Sequence, residues 1–154
     1  GNVVYAYNDA RIDDNDGLGE YDADFNREHF FSIGGSWEIS ERWKFGARWK
    51  WATGRPTDDF IINSDVLGPG QPLRYSKELT QQNALRLDDS HSLNIRVDYR
   101  RTLGPVDLVA FLDVINVYGG PGGGSQEFDP RRGVIVADEG EAFPIIGLIF
   151  ERSW

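Results

Sequence analysis

Residues 91–101 read HSLNIRVDYRR. Leu93, Ile95, Val97 and Tyr99 occupy every second place, with Ser92, Asn94, Arg96, Asp98 and Arg100 between them. Successive side chains of a strand point to opposite faces, so this spacing predicts one wholly apolar face and one charged face. Residues 43–53, WKFGARWKWAT, repeat the pattern: Trp43, Phe45, Ala47, Trp49 and Trp51 alternate with Lys44, Gly46, Arg48 and Lys50. Bulky indoles on one side and cations on the other suit a strand between lipid and a wet lumen better than a sheet in water.

The remainder of the chain bounds this reading. Its 154 residues are the length of one ordinary domain. No apolar run approaches the roughly 20 residues that a membrane helix needs, so a spanning structure here must be built from strands. Cysteine is absent, which removes disulfides and thiolate metal sites. The chain lacks methionine and opens at Gly1 directly ahead of the strand-like residues 3–7, so it reads as a piece of something longer. The formal charge of −9 speaks against a nucleic-acid partner, which needs clustered cations.

Six strand candidates emerge: residues 3–11, 29–40, 43–53, 91–102, 106–118 and 145–154. Tight turns join the second to the third around Glu41 and Arg42, and the fourth to the fifth through Leu103, Gly104 and Pro105. The other connections, 12–28, 54–90 and 119–144, are long, polar and rich in Gly, Pro and Asp. Structureless loops of that size are rare in compact domains, and their alternation with tight turns is what an outer-membrane barrel has, with short periplasmic turns and long extracellular loops. The segment 54–90 also holds apolar patches at Phe60, Ile61, Ile62, Val66 and Leu67, and is expected to fold partly over a barrel mouth with strand extensions at its two ends.

With the long loops outside the cell, Trp37, Trp43 and Tyr99 fall near the periplasmic interface, Trp49 and Trp51 near the outer one, and Trp154 at the periplasmic edge. From Trp43 to Trp51, at roughly 3.3 Å per residue and a tilt of about 40°, is about 20 Å, close to the height of an apolar band. Leu93, Ile95, Val97, Phe45, Trp49, Leu108, Leu112, Ile146, Leu148 and Phe150 are expected to face lipid.

The ordered combination of EHFFSIGGSWEISERWKFGARWKWATGRPT (28–57), HSLNIRVDYR (91–100), LVAFLDVINVYG (108–119) and FPIIGLIFERSW (143–154) resembles the C-terminal end of a TonB-dependent outer-membrane receptor. The resemblance spans most of residues 1–154 and implies an all-β, antiparallel transmembrane barrel of roughly 22 strands enclosing an N-terminal plug, of which these would be the last six. It implies active import across the Gram-negative outer membrane of a scarce nutrient such as a siderophore, vitamin, saccharide or peptide. The implied partners are outer-membrane lipid, the remaining strands and plug, the inner-membrane TonB complex, and the barrel-assembly machinery through the C-terminal strand. It implies no enzyme activity and no cofactor. The chain departs from the family in two ways: it includes no plug or TonB-box segment, so alone it is not expected to transport, and Arg152 stands where an aromatic or aliphatic residue is usual. An arginine at the interface can snorkel to headgroups.

Other features invite chemical readings that the residues do not support. The acids gather in loops: Asp9, Asp13, Asp14, Asp16, Glu20, Asp22, Asp24 and Glu28 in one, Asp58, Asp59 and Asp65 in another, Asp129, Asp138, Glu139 and Glu141 in a third. They read as solvated charge, because a calcium loop with its glycine at Gly17 would need an acid where Ile12 stands. His29 and His91 lack further ligands nearby for a metal. His91 and Ser92 point to opposite faces and do not form a nucleophile–base pair. The run GGPGGG at 119–124 lacks the Lys-Ser/Thr ending of a phosphate loop.

On the polar face, the turn near Leu103 and Gly104 is expected to set Arg100 opposite Asp107 and Asn94 opposite Asp113. The turn at residues 40–42 is expected to set Glu38 opposite Lys44, with Trp37 against Phe45 on the apolar side. Facing opposite charges each contribute a few tenths to about 1 kcal/mol. Arg48, Lys50, Arg96 and Asp98 are the lumen-facing candidates for contact with a plug or an anionic ligand. The alternative from another class is a secreted β-sandwich that stacks carbohydrate on its tryptophans; it would bury the apolar face against a second sheet. Six strands alone cannot close a barrel, so the first and last are expected to be edges that pair with strands outside these residues.

Overall fold

A computed structural model describes residues 1–15, 17, 19–65, 68, 73–121, 126–137 and 140–152. Trp154, Asp16, Val66, Leu67, Asp138 and Glu139 lie outside the described residues. Every regular element among those described is a strand: β1 (Asn2–Tyr7), β2 (Arg11–Ile12), β3 (Tyr21–Asp22), β4 (His29–Glu38), β5 (Trp43–Ala52), β6 (Pro56–Asp65), β7 (Arg74–Arg86), β8 (Ser90–Leu103), β9 (Val106–Ile115), β10 (Gln126–Asp129), β11 (Val134–Ala137) and β12 (Phe143–Arg152).

The six expected strands form one antiparallel sheet in the order β1-β4-β5-β8-β9-β12. Each pairs with its neighbour along the chain once the long connections are set aside. The sheet is open, with β1 and β12 as its edges. The pairs β2–β3, β6–β7 and β10–β11 are three separate two-stranded sheets, one within each long connection.

Directly opposed residues share a face, so the register assigns every side chain. Val3 faces Ile33, Ile33 faces Trp49, and Trp49 faces Leu93. A second row runs Trp37, Phe45, Val97, Leu112, Ile146, and a third runs Trp43, Tyr99, Ala110, Leu148. The ten residues expected to face lipid all lie on this one face of the sheet. The opposite face carries Ser32, Gly34, Ser36, Glu38, Lys44, Arg48, Lys50, Asn94, Arg96, Asp98 and Asp113, with some apolar residues such as Phe111 and Ile149 towards β12.

Among the described residues no second layer covers either face. Among the described residues few apolar side chains are buried, Ala23, Ala52, Pro56 and Val109, while Ile146 is 82% exposed and Phe150 65%. The apolar area that would stabilise a folded domain at roughly 25 cal/mol per Å² is therefore left uncovered by the described residues.

The turn between β4 and β5 matches its expected register: Glu38 faces Lys44, and the Trp37 and Phe45 rings stack 5.9 Å apart. Ser40 makes the turn, its hydroxyl accepting from the N–H groups of Arg42 and Trp43. The β8–β9 register differs from the expected one. Asp107 faces Thr102, not Arg100, and Asp113 faces Arg96, not Asn94. The cause is the turn, a two-residue loop of Gly104, at φ +65°, and Pro105. Moving a turn by one residue slides the pairing by two, which changes partners and keeps faces.

Other boundaries move for local reasons. β1 stops at Tyr7, because Asn8 turns to Asn26 and the chain enters a separate pairing at β2. β9 ends at Ile115, where Asn116 takes a left-handed backbone (φ 54°) and its side chain exchanges two hydrogen bonds with Gly120. The connection 54–90 has strands through most of its described length, more than extensions at its ends. Its register also continues that of the main sheet: Ala52 faces Ser90, and Pro56 faces Arg86. The break between them is a close crossing. A Cβ on Gly54 would sit 1.6 Å from the Leu87 carbonyl oxygen, so only glycine fits.

Candidate functional site

The polar face of the six-stranded sheet is the surface where chemistry is concentrated. Its cations Lys44, Arg48, Lys50, Arg96 and Arg100 are equal in number to its acids Glu38, Asp98, Asp107, Asp113 and Glu151. The chain's surplus of negative charge therefore lies in the long connections.

The four residues singled out from the sequence separate into two pairs. Arg96 and Asp98, two apart on β8, bond to each other at 2.8 Å (Nε to Oδ1), and Arg96 Nη1 lies 3.9 Å from Asp113 Oδ2. The same guanidinium stands 4.2 Å over the Phe111 ring. Phe111 in turn covers Gly147, its partner on β12. Arg48 and Lys50 behave differently. Among the described residues neither makes an ion pair or a side-chain hydrogen bond. Arg48 faces Gly34 and Asn94, and Lys50 faces Ser32 and Ser92, so small polar neighbours leave both cations standing clear. Gly35, Ser36, Gly46, Arg48, Asn94, Arg96 and Asp113 border an open hollow of about 520 Å³.

The aromatic residues fall into two bands on the apolar face. At the short-turn end Trp43 packs on Tyr99 with centroids 4.8 Å apart, beside Trp37 on Phe45. Towards the other end lie Trp49 and Trp51, where Phe31 meets Trp49 at 6.0 Å. The second band contains residues that sequence reasoning set aside. Tyr5 and His29 are hydrogen-bonded at 3.0 Å, as are His91 and Tyr118, and Trp49 Nε1 donates to the Tyr118 hydroxyl at 3.2 Å. Each histidine stands at the start of a strand next to the aromatic rows, His29 as the first residue of β4 and His91 as the second of β8, which was the available signal.

A third cluster, missed from the sequence, ties the connections together beyond this band. Asn26 is fully buried; its side chain accepts from Asn8 Nδ2 and the Ala10 N–H, and donates to Asp22. Arg86 of β7 reaches Asp22 and Glu28 with one nitrogen and the carbonyls of Asn26 and Gly54 with the other. Asn83 donates to the Asp22 carbonyl and to Asp24, and its own N–H donates to Asp58. Nearby, burial holds the Arg27 guanidinium below its ordinary pKa, with Arg55 adding repulsion. Arg11 is raised by its hydrogen bond to Asp9. The turn at Pro130 touches the same assembly through its carbonyl, which accepts the Tyr75 N–H at 3.0 Å. These partners are 58 to 64 residues apart in the case of Arg86 with Glu28 and Asp22, so no local pattern announces them.

Among the described residues no group of three or more His, Asp or Glu is placed to hold a metal. No protein-family model matches the chain, and no curated protein or solved structure matches it either.

Proposed function

We propose that this chain is a stretch of wall from a transmembrane β-barrel, in an active outer-membrane transporter of the TonB-dependent kind. One observation carries the reading: a single apolar face, charged only at its short-turn end by Arg101 and Arg152 among the described residues, runs across six strands and is left exposed, while the reverse face is polar and charge-balanced. Soluble monomers rarely expose contiguous apolar patches above a few hundred Å², and larger ones mark contact with a partner or a membrane. Lipid removes the cost of the first face, and a wet lumen solvates the second. The two aromatic bands then lie at the two interfaces.

In this arrangement the short turns at residues 39–42 and 104–105 are periplasmic, and the hairpins β2–β3, β6–β7 and β10–β11 stand outside the cell. The edges β1 and β12 pair with further strands of the same barrel, because unpaired backbone in hydrocarbon costs several kcal/mol per group. Arg48 and Lys50 face the lumen, where a plug or a passing nutrient meets them. An inner-membrane TonB complex supplies the energy.

The absence of cysteine from the chain makes the test direct. Spin labels placed singly at Leu93, Val97 and Leu112, in the protein that carries this chain, are expected to collide with dissolved oxygen in the bilayer. Labels at Ser36 and Asn94 are expected to collide with a water-soluble nickel chelate. Recovery of the protein in the soluble fraction, with oxygen and chelate reaching both sets alike, would overturn the reading and favour a sugar-stacking module.

A further inference from the structure

The polar face balances its charges in number but not in place. Towards the short turns, Lys44 faces Glu38 and Asp98, and Arg96 is bonded to Asp98 and faces Asp113. Two rows nearer the long connections differ. One runs Asn2, Gly34, Arg48, Asn94 and the other Val4, Ser32, Lys50, Ser92. Each row holds one cation and no acid across four strands. Neither Arg48 nor Lys50 makes an ion pair or a side-chain hydrogen bond among the described residues. They stand two apart on β5, so their Cβ atoms are roughly 7 Å apart on one face.

The surroundings of these cations supply donors and space. Arg48 borders the open hollow of about 520 Å³, and Lys50 borders a second of about 290 Å³ together with Ser90, Ser92 and Asn116. Asn94 spends its side-chain oxygen on the Asn116 N–H, so what it keeps for the larger hollow is an amide donor. Ser32, opposite Lys50, is only 6% exposed, yet its hydroxyl bonds to none of the described residues. The acid that borders the larger hollow, Asp113, lies 3.9 Å from Arg96 Nη1. Gly46 keeps that hollow open: a Cβ there would meet nothing nearer than 3.8 Å.

A guanidinium offers a planar fork to a carboxylate or phosphate, and an ammonium adds a point charge on a flexible stem. We propose that Arg48 and Lys50, with Asn94 and Ser32 as further donors, form a binding site for a small solute that carries two anionic groups, carboxylate or phosphate. The inference deepens the proposed function and rests on it: the polar face lines a lumen, and the nutrient that passes is an anion. A neutral saccharide has no charge to set against either cation.

The experiment uses the protein that carries this chain in nanodiscs, with insertion scored first by resistance to protease. Titration calorimetry then reads the binding of pyrophosphate, of glutarate and of a neutral disaccharide. The expected result is that at least one of the two anions binds and the disaccharide does not, with affinity falling as salt rises. The anion that binds more tightly distinguishes phosphate from carboxylate. The double variant R48Q/K50Q weakens its binding by on the order of tenfold or more, and R48K/K50R keeps part of it. K44Q, whose cation faces two acids, keeps all of it. Gly46→Leu takes up part of the hollow and weakens binding while the thermal midpoint holds. An inserted protein that binds neither anion, or that binds as well in R48Q/K50Q, overturns the inference and leaves the barrel reading intact. If the double variant does not fold, full binding in Gly46→Leu overturns it instead. Failure of the parent protein to insert overturns both.

Discussion

Arg86 Nη2 lies 2.6 Å from Asp22 Oδ2, joining residues 64 positions apart in the chain. The bond links the β6–β7 hairpin to β3, and with the contacts to Glu28 and the Asn26 carbonyl it makes the first two long connections one body. Replacing Arg86 with Gln is expected to loosen that body at a cost of about 1 kcal/mol, since the pair is partly exposed and water screens it. Asn26→Ala should cost more, roughly 1–3 kcal/mol, because Asn26 is wholly buried and its partners lose their bonds. Faster amide exchange in residues 74–86 in both variants checks the link; unchanged exchange in Arg86→Gln would show that the hairpin is held by other means.

The two faces of β8 should tolerate charge very differently. Val97→Arg places a cation in the middle of the apolar rows and is expected to destabilise the folded protein in a bilayer by roughly 2–4 kcal/mol. Asn94→Arg, on the polar face, is expected to fall within about 0.5 kcal/mol of the parent. Denaturant unfolding in lipid vesicles measures both, and equal costs would contradict the assignment of faces.

The polar-face cations should separate in the same way as their geometry. Asp98→Asn removes the partner held 2.8 Å from Arg96 and is expected to cost about 0.5–1 kcal/mol at this partly exposed site. Arg48→Gln combined with Lys50→Gln breaks no ion pair or side-chain hydrogen bond among the described residues, so stability should stay within about 0.5 kcal/mol. Under the proposed function, uptake by the protein that carries this chain is the more sensitive reading for that double variant. A large loss of stability there would reveal that another part of the protein is bound to these cations.

Gly147 makes room for the Phe111 ring. A Cβ at Gly147 would lie 2.4 Å from the ring tip, so Gly147→Val must move Phe111 from its place beneath Arg96. Overpacking of this kind costs typically about 1–3 kcal/mol. Gly147→Val combined with Phe111→Ala should recover part of the loss, measured as the midpoint of thermal unfolding; no recovery would place the cost in the backbone.

Alternation of side chains is a local property with a period of two, and it alone determined the six strands, the membership of each face and the Trp37–Phe45 pairing across a turn whose length the sequence shows. The same property is blind to a slide of two residues. The β8–β9 register therefore waited on the backbone of Gly104 and Pro105, which brings Arg96, not Asn94, to Asp113. The strands within the long connections were hidden for a related reason. Their pairing depends on the close crossing of Gly54 with Leu87 and on the irregularities around Asp59 in β6, not on a clean apolar stripe. The Arg86–Asp22–Asn26 cluster joins residues whose separation along the chain carries no periodic signal, so only the tertiary structure decides it. What covers the apolar face was also written in the sequence as a demand, since exposed indoles and aliphatics on every second residue require an apolar neighbour. The structure adds that no part of the described chain meets that demand.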